Sequence, residues 1–160
     1  MENSTTAFYD AIRNGDQGQV RQMLEADSQW VNIKDTRGST PLVLASYYDQ
    51  GTIVDLLCDY GASIDEKDGT GNTPLMGVCF KGYVALAENL IKRGANVNAT
   101  NAMGGTCLIY AATFNRPKIA QLLMENGADT AAKDARGKTA LDHAKMQNNQ
   151  EMIRILENPI

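Results

Sequence analysis

Apolar residues recur along this chain in short bursts at helical spacing, separated by brief polar stretches rich in Gly, Asp and Asn. Leu42 and Ala45, with the small Ser46, form one such burst, and after a break Ile53, Val54, Leu56 and Leu57 form the next. Steps of three and four residues place each set on one face of a helix, so the pattern predicts pairs of short amphipathic helices rather than strands. The bursts are also periodic. Gly38, Gly71, Gly104 and Gly137 advance by 33 residues, as do Thr40, Thr73, Thr106 and Thr139, and Leu42, Leu75, Leu108 and Leu141. The same step relates Gly61-Ala62, Gly94-Ala95 and Gly127-Ala128, and Asp35, Asp68, Asn101 and Asp134. Independent columns locked to one period are the signature of a stacked repeat, in which each unit buries its apolar face only against its neighbours.

Each column has a mechanical reason. Asp or Asn followed three residues later by Gly suits a type I turn, predicting a turn at Asp35–Gly38, Asp68–Gly71, Asn101–Gly104 and Asp134–Gly137. Thr40-Pro41-Leu42 and Thr73-Pro74-Leu75 read as helix starts, because a Thr hydroxyl accepts from free backbone N–H groups and Pro is tolerated in a first turn. Pro117 falls in the first turn of a second helix, where it does no harm. Gly61, Gly94 and Gly127 are placed to end the second helices. Every unit is thus turn, helix, helix.

With T-P-L at the helix start, an A-x-x-G-like break, a Leu-Leu pair and G-A-x-x-N at the close, the chain resembles the ankyrin repeats over nearly its whole length. Units 35–67, 68–100, 101–133 and 134–160 fall into register. The stretch 2–34 matches more loosely, through Phe8, Ala11, Gly15, Val20 and Leu24. The resemblance implies an all-α solenoid of stacked antiparallel helix pairs joined by β-turn or hairpin fingertips, here one domain spanning 1–160. The His that follows T-P-L in the family is replaced by Val43, Met76, Ile109 and Asp142, and the Pro by Cys107 and Ala140, so the hydrogen bond of that His must be absent or substituted. At the end of the column Ser46, Cys79 and Ala112 stands Lys145, which is costly to bury unpaired. The first unit carries Arg13, Gln17, Gln19, Arg21 and Gln22, and Asp27–Trp30 in place of the Gly-Ala closure, so both ends are expected to act as caps.

Composition narrows the function. With 15 Lys and Arg against 19 Asp and Glu the net charge is -4, which offers no general attraction to nucleic acid or anionic lipid. No stretch has the length of a membrane span or the pattern of a signal peptide, so a reducing cytoplasm is the expected location. Cys58, Cys79 and Cys107 form no Cys-x-x-Cys pair, and their columns suggest separate faces and free thiols. No metal, cofactor or catalytic set is predicted. The single His143 adjoins Asp142, but consecutive helical residues point apart, and no nucleophile accompanies them. Gly69-Thr70-Gly71 lacks the context of a phosphate loop and reads as a turn. Asn89 is out of place among Leu56, Leu122 and Ile155 and needs a partner or solvent.

What remains is a surface. In ankyrin-like units the last turn of the first helix faces a concave groove, and those positions here are Arg13-Asn14, Tyr47-Tyr48, Phe80-Lys81, Thr113-Phe114 and Met146-Gln147. Four of the chain's ten aromatic residues, Tyr47, Tyr48, Phe80 and Phe114, fall in that short list. The core columns are already filled by aliphatic residues, so these rings are expected at the surface, beside the fingertip residues Arg37, Met103 and Arg136. Aromatic anchors with a partly basic rim are favoured at protein interfaces. The expected function is non-catalytic binding of a partner protein, as adaptor, scaffold or inhibitor, by a chain that is monomeric when unbound. The alternative is a self-associating protein whose aromatic groove is buried between copies.

Overall fold

In the computed structural model, which describes residues 2–158, five helix pairs follow one another. They are α1 (Glu2–Arg13) with α2 (Gln17–Ala26), α3 (Pro41–Tyr47) with α4 (Gly51–Asp59), α5 (Pro74–Lys81) with α6 (Val84–Lys92), α7 (Cys107–Thr113) with α8 (Pro117–Glu125), and α9 (Ala140–Met146) with α10 (Gln150–Glu157). No strand occurs among the described residues. The first helices pack in series, α1 on α3, α3 on α5, α5 on α7 and α7 on α9, while α2, α4, α6, α8 and α10 form the opposite layer. The repeat architecture expected from the period is the one observed.

The helix starts follow from the Thr column. Thr40, Thr73, Thr106 and Thr139 are extended, and their hydroxyl oxygens accept from the backbone N–H of Val43, Met76, Ile109 and Asp142, satisfying donors that a helix start leaves free. The missing family His is replaced in two ways. Met76 and Ile109 are buried at its position, and Asp142 returns a bond from its carboxylate to the Thr139 N–H, completing a capping box. Between the paired helices the chain reverses through a left-handed residue, Asp49, Gly82, Asn115 or Asn148, a conformation that Gly, Asn and Asp adopt with least strain.

The fingertips are tight hairpin turns. Asp35 Oδ1 accepts from the N–H groups of Arg37 and Ser39, and Asp68, Asn101 and Asp134 repeat this pattern. Successive tips are joined by backbone bonds from Gly69 N–H to Arg37 O, from Ala102 N–H to Thr70 O and from Ala135 N–H to Met103 O. A methyl group on Gly69 would lie 2.5 Å from the Arg37 carbonyl, so the close approach of the first and second tips requires glycine there.

One apolar core runs the length of the stack. Ser46, Cys79 and Ala112 are completely buried between units, whereas Lys145 in the same column is exposed and lies 3.8 Å from Glu157. At the other end the 3-10 segment Ser28–Asn32 replaces the Gly-Ala closure and sets Trp30 against Phe8, ring centres 5.4 Å apart. Tyr9 donates its hydroxyl to the carbonyls of Ser39, at 2.7 Å, and Ile33, tying α1 to the second unit. Asn89 finds its partners on the outer layer: it donates to Asp55 Oδ1 at 2.8 Å and accepts from Arg93, whose guanidinium also reaches Asp55 and Asp59.

One expectation about the cysteines needs correction. All three are free thiols, but Cys79 and Cys107 do not lie on separate faces: they are neighbours, both fully buried, where α5 meets α7. Their places in different columns concealed this, because the start of one inner helix packs on the middle of the previous one. Burial pushes the Cys79 thiol well above its usual value, and Cys107 adds to the shift. Only Cys58 stands apart, half-buried on α4.

Candidate protein-binding groove

The inner helices α3, α7 and α9 have seven residues each and α5 has eight, so each ends after two turns and its last side chains emerge beside the fingertips. Tyr47, Tyr48, Phe114 and Met146 are accordingly exposed, as is Met103 on its fingertip; these five are the exposed large apolar side chains of the protein among the described residues. Phe80 is half-buried. The rings do not form an even stripe. Tyr47 and Tyr48 meet edge-on with centres 5.5 Å apart, and Phe80 and Phe114 make a second, T-shaped pair at 4.6 Å, with Tyr110 6.0 Å from Phe114. Lys81 Nζ lies over the Tyr47 ring, 4.8 Å from its centre.

Two concavities open between these elements. The larger, of about 1620 Å³, runs between α1, α3 and the first two fingertips and includes Tyr9, Arg13, Arg37, Val43, Tyr47, Tyr48, Asp68 and Thr70 in its lining. The smaller, of about 300 Å³, shares Val43, Tyr47 and Asp68 with it and is closed by Asn72, Met76, Gly77, Phe80, Tyr110 and Phe114. The structure thus gathers Arg13, Arg37, Tyr47 and Tyr48 in one groove and Tyr47, Phe80 and Phe114 around one pocket. Asn14, Lys81, Met103, Thr113, Arg136 and Met146 line neither. Thr113 contributes its carbonyl to Gln147 Nε2 at 2.8 Å, and Met146 projects from the last unit.

The electrostatics are set by which charges are already paired. Arg13 bonds Asp10 at 2.9 Å and Lys34 pairs with Glu66, whereas Arg37 and Arg136 have no ion pair among the described residues. The carboxylates of Asp35 and Asp68 are turned into their own fingertips by backbone N–H groups. Burial, and then the negative charge of Asp35, raise the Tyr9 hydroxyl far above its ordinary value, so it acts only as a neutral donor. At the far end, His143 Nε2 lies 2.7 Å from Asp134 Oδ2; the carboxylate can only accept, so Nε2 carries the proton. Asp142 is engaged with Thr139 instead, so His143 and Asp142 form no dyad.

Groove residues that escaped the sequence reading include Tyr9, Asn72, Gly77 and Tyr110. Asn101 donates to Asn72 Oδ1 at 2.9 Å and to the Tyr110 hydroxyl at 2.8 Å, holding two residues that line the smaller pocket. The available signal was in the column Leu44, Gly77, Tyr110 and His143, where a glycine interrupts a helix interior.

Comparison with known families agrees with this architecture. The family model described as ankyrin repeats (3 copies) matches residues 75–159, and that described as ankyrin repeats (many copies) matches 23–77. The chain belongs to the ankyrin-repeat family, whose members are generally non-catalytic modules for protein–protein interaction. A search of curated proteins finds no match. No helix among the described residues is long and apolar enough to cross a membrane.

Proposed function

We propose that this chain is a single-domain recognition module, monomeric when free, that holds a partner protein in its concave groove and against its fingertips without catalysing a reaction. The observation that carries the reading is the concentration of exposed apolar side chains. Tyr47, Tyr48, Phe114, Met103 and Met146 all stand on inner-helix ends or fingertips; Arg13 and Arg37 share the larger groove with Tyr47 and Tyr48, and Lys81 lies over the Tyr47 ring. Scattered exposed hydrophobes need no explanation, but a cluster rimmed by cations is the composition of an interface. The neighbouring unbridged thiols of Cys79 and Cys107 favour a reducing compartment, in keeping with a cytoplasmic adaptor or inhibitor.

The test replaces Tyr47, Tyr48, Phe80 and Phe114 with alanine and compares partner capture from native lysate, together with circular dichroism and light scattering. Buried aromatic anchors contribute about 2 kcal/mol or more each at interfaces, so loss of two lowers affinity about a thousandfold and abolishes capture. The folded variant retaining full capture would move binding to another face. A wild-type dimer that the variant converts to monomer would replace the reading with self-association.

A further inference from the structure

Gly77 sits in the interior of α5, where glycine is a poor helix former. Its backbone is not among the positive-φ positions, and a methyl group added to it would meet nothing within 4 Å. Neither conformation nor crowding requires glycine there. The units on either side carry Leu44 and Tyr110 in its place, so the absent side chain leaves a gap, and that gap is the 300 Å³ pocket. Tyr47, Phe80, Tyr110 and Phe114 present four aromatic rings to it, and Asp68 and Asn72 form its polar edge. That edge is largely committed within the chain: Asp68 Oδ1 accepts from Thr70 and Asn72 N–H, and Asn72 Oδ1 from Asn101 and Tyr110.

Resting on the groove reading above, we propose that this pocket receives one aromatic side chain of an acidic, linear segment of the partner. A ring among rings gains edge-to-face contacts beyond its burial. The pocket lies beside the larger groove, with which it shares Val43, Tyr47 and Asp68 in its lining, so a chain lying in the groove passes within a side chain's reach of it. The sign of the partner's charge follows from the rim. Arg37 is exposed and unpaired among the described residues, Lys81 is held over Tyr47, and the nearby Asp35 and Asp68 are each bonded into their turns. In a chain of net charge -4, these cations make the mouth of the groove complementary to Asp or Glu beside the anchor.

The experiment selects binders to the full chain from a phage-displayed library of random linear peptides, then titrates the best peptide by fluorescence anisotropy. Gly77→Leu fills the pocket while improving helix propensity, so it remains folded, with a melting temperature raised by about 2–4 °C. The expected consensus is one aromatic residue flanked by Asp or Glu. Affinity falls about 30-fold with Gly77→Leu, less with Gly77→Ala, and declines with a weaker salt dependence in the Arg37→Glu, Lys81→Glu double variant. Peptides that lack the consensus, or that bind Gly77→Leu unchanged, overturn the inference. If those peptides are still lost on Tyr48→Ala the groove reading stands without the anchor; if they are not, both fall. No enrichment over the bare support overturns a linear acidic occupant, and so does a wild-type dimer that Gly77→Leu converts to monomer, since the occupant is then a second copy.

Discussion

Two residues show how far a single position carries local energetics. Ser46 is completely buried between α3 and its neighbours, and its hydroxyl has no hydrogen-bond partner among the described residues. A buried unsatisfied hydroxyl costs about 1–3 kcal/mol, and the same column holds Ala112 one unit from the end. Ser46→Ala is therefore expected to stabilise by about 1 kcal/mol, read as a rise of about 2–4 °C in melting temperature; a fall would mean that the hydroxyl is satisfied by bound water. Asp134 is the second case. The bond from His143, then those from the Lys138 and Arg136 N–H groups, hold its carboxyl below the usual value. The unfolded chain therefore binds a proton more readily. This contribution to stability is complete above the ordinary Asp value near about 4 and is lost as pH falls through the lowered folded value. Asp134→Asn keeps the turn, as Asn101 does in its own unit, but cannot titrate. It should be less stable than wild type at neutral pH, with the gap in urea midpoint closing on acidification; a gap that widens toward acid refutes the assignment.

At the scale of the helix pair, legibility tracks periodicity. Thr40, Pro41, Asp35 and Gly61 act locally, within a turn or two of their own backbone, so the sequence columns locate helix starts, fingertips and helix ends directly. The groove ends of the inner helices were also legible, since Tyr47 shares a register with Phe80, and Tyr48 with Phe114. Contacts between units were not. Cys79 beside Cys107, Tyr110 bonded to Asn72, and the void over Gly77 each depend on how two or three helices are offset, and a 33-residue comparison aligns equivalent positions rather than touching ones. The thiols test that offset. In native protein near pH 8, half-buried Cys58 is expected to react first with an aromatic disulfide reagent. Cys79 and Cys107, sealed between α5 and α7, should react at least about a thousandfold more slowly, through opening that costs several kcal/mol. All three react once the chain is denatured without reductant. Recovery of one thiol would mean that the neighbouring pair is bridged.

For the whole molecule, stability is a chain of nearest-neighbour interfaces, so the effect of a change depends on whether it removes an interface or only decorates one. The last unit covers its predecessor: α9 packs on α7 and α10 on α8, over the fully buried Ala111, Ala112 and Leu123 and the partly buried Leu122. A chain ending before Asp134 leaves these side chains in water and also loses the bond from Ala135 N–H to Met103 O that joins the last two fingertips. Each large aliphatic side chain returned to water costs about 1.5–3 kcal/mol, which is a large part of the marginal stability of a domain this size. The expected outcome is aggregation on concentration and a melting transition lowered by about 10 °C or more. Lys145→Ala is the matched control. Its ammonium is exposed and its contact with Glu157 is a surface ion pair, so it should shift stability by no more than about 0.5 kcal/mol in urea unfolding. If Lys145→Ala were as damaging as the truncation, the outer face of α9 would be contributing to an interface of its own; if the truncated chain stayed soluble and cooperative, the fourth unit would be able to end the stack by itself.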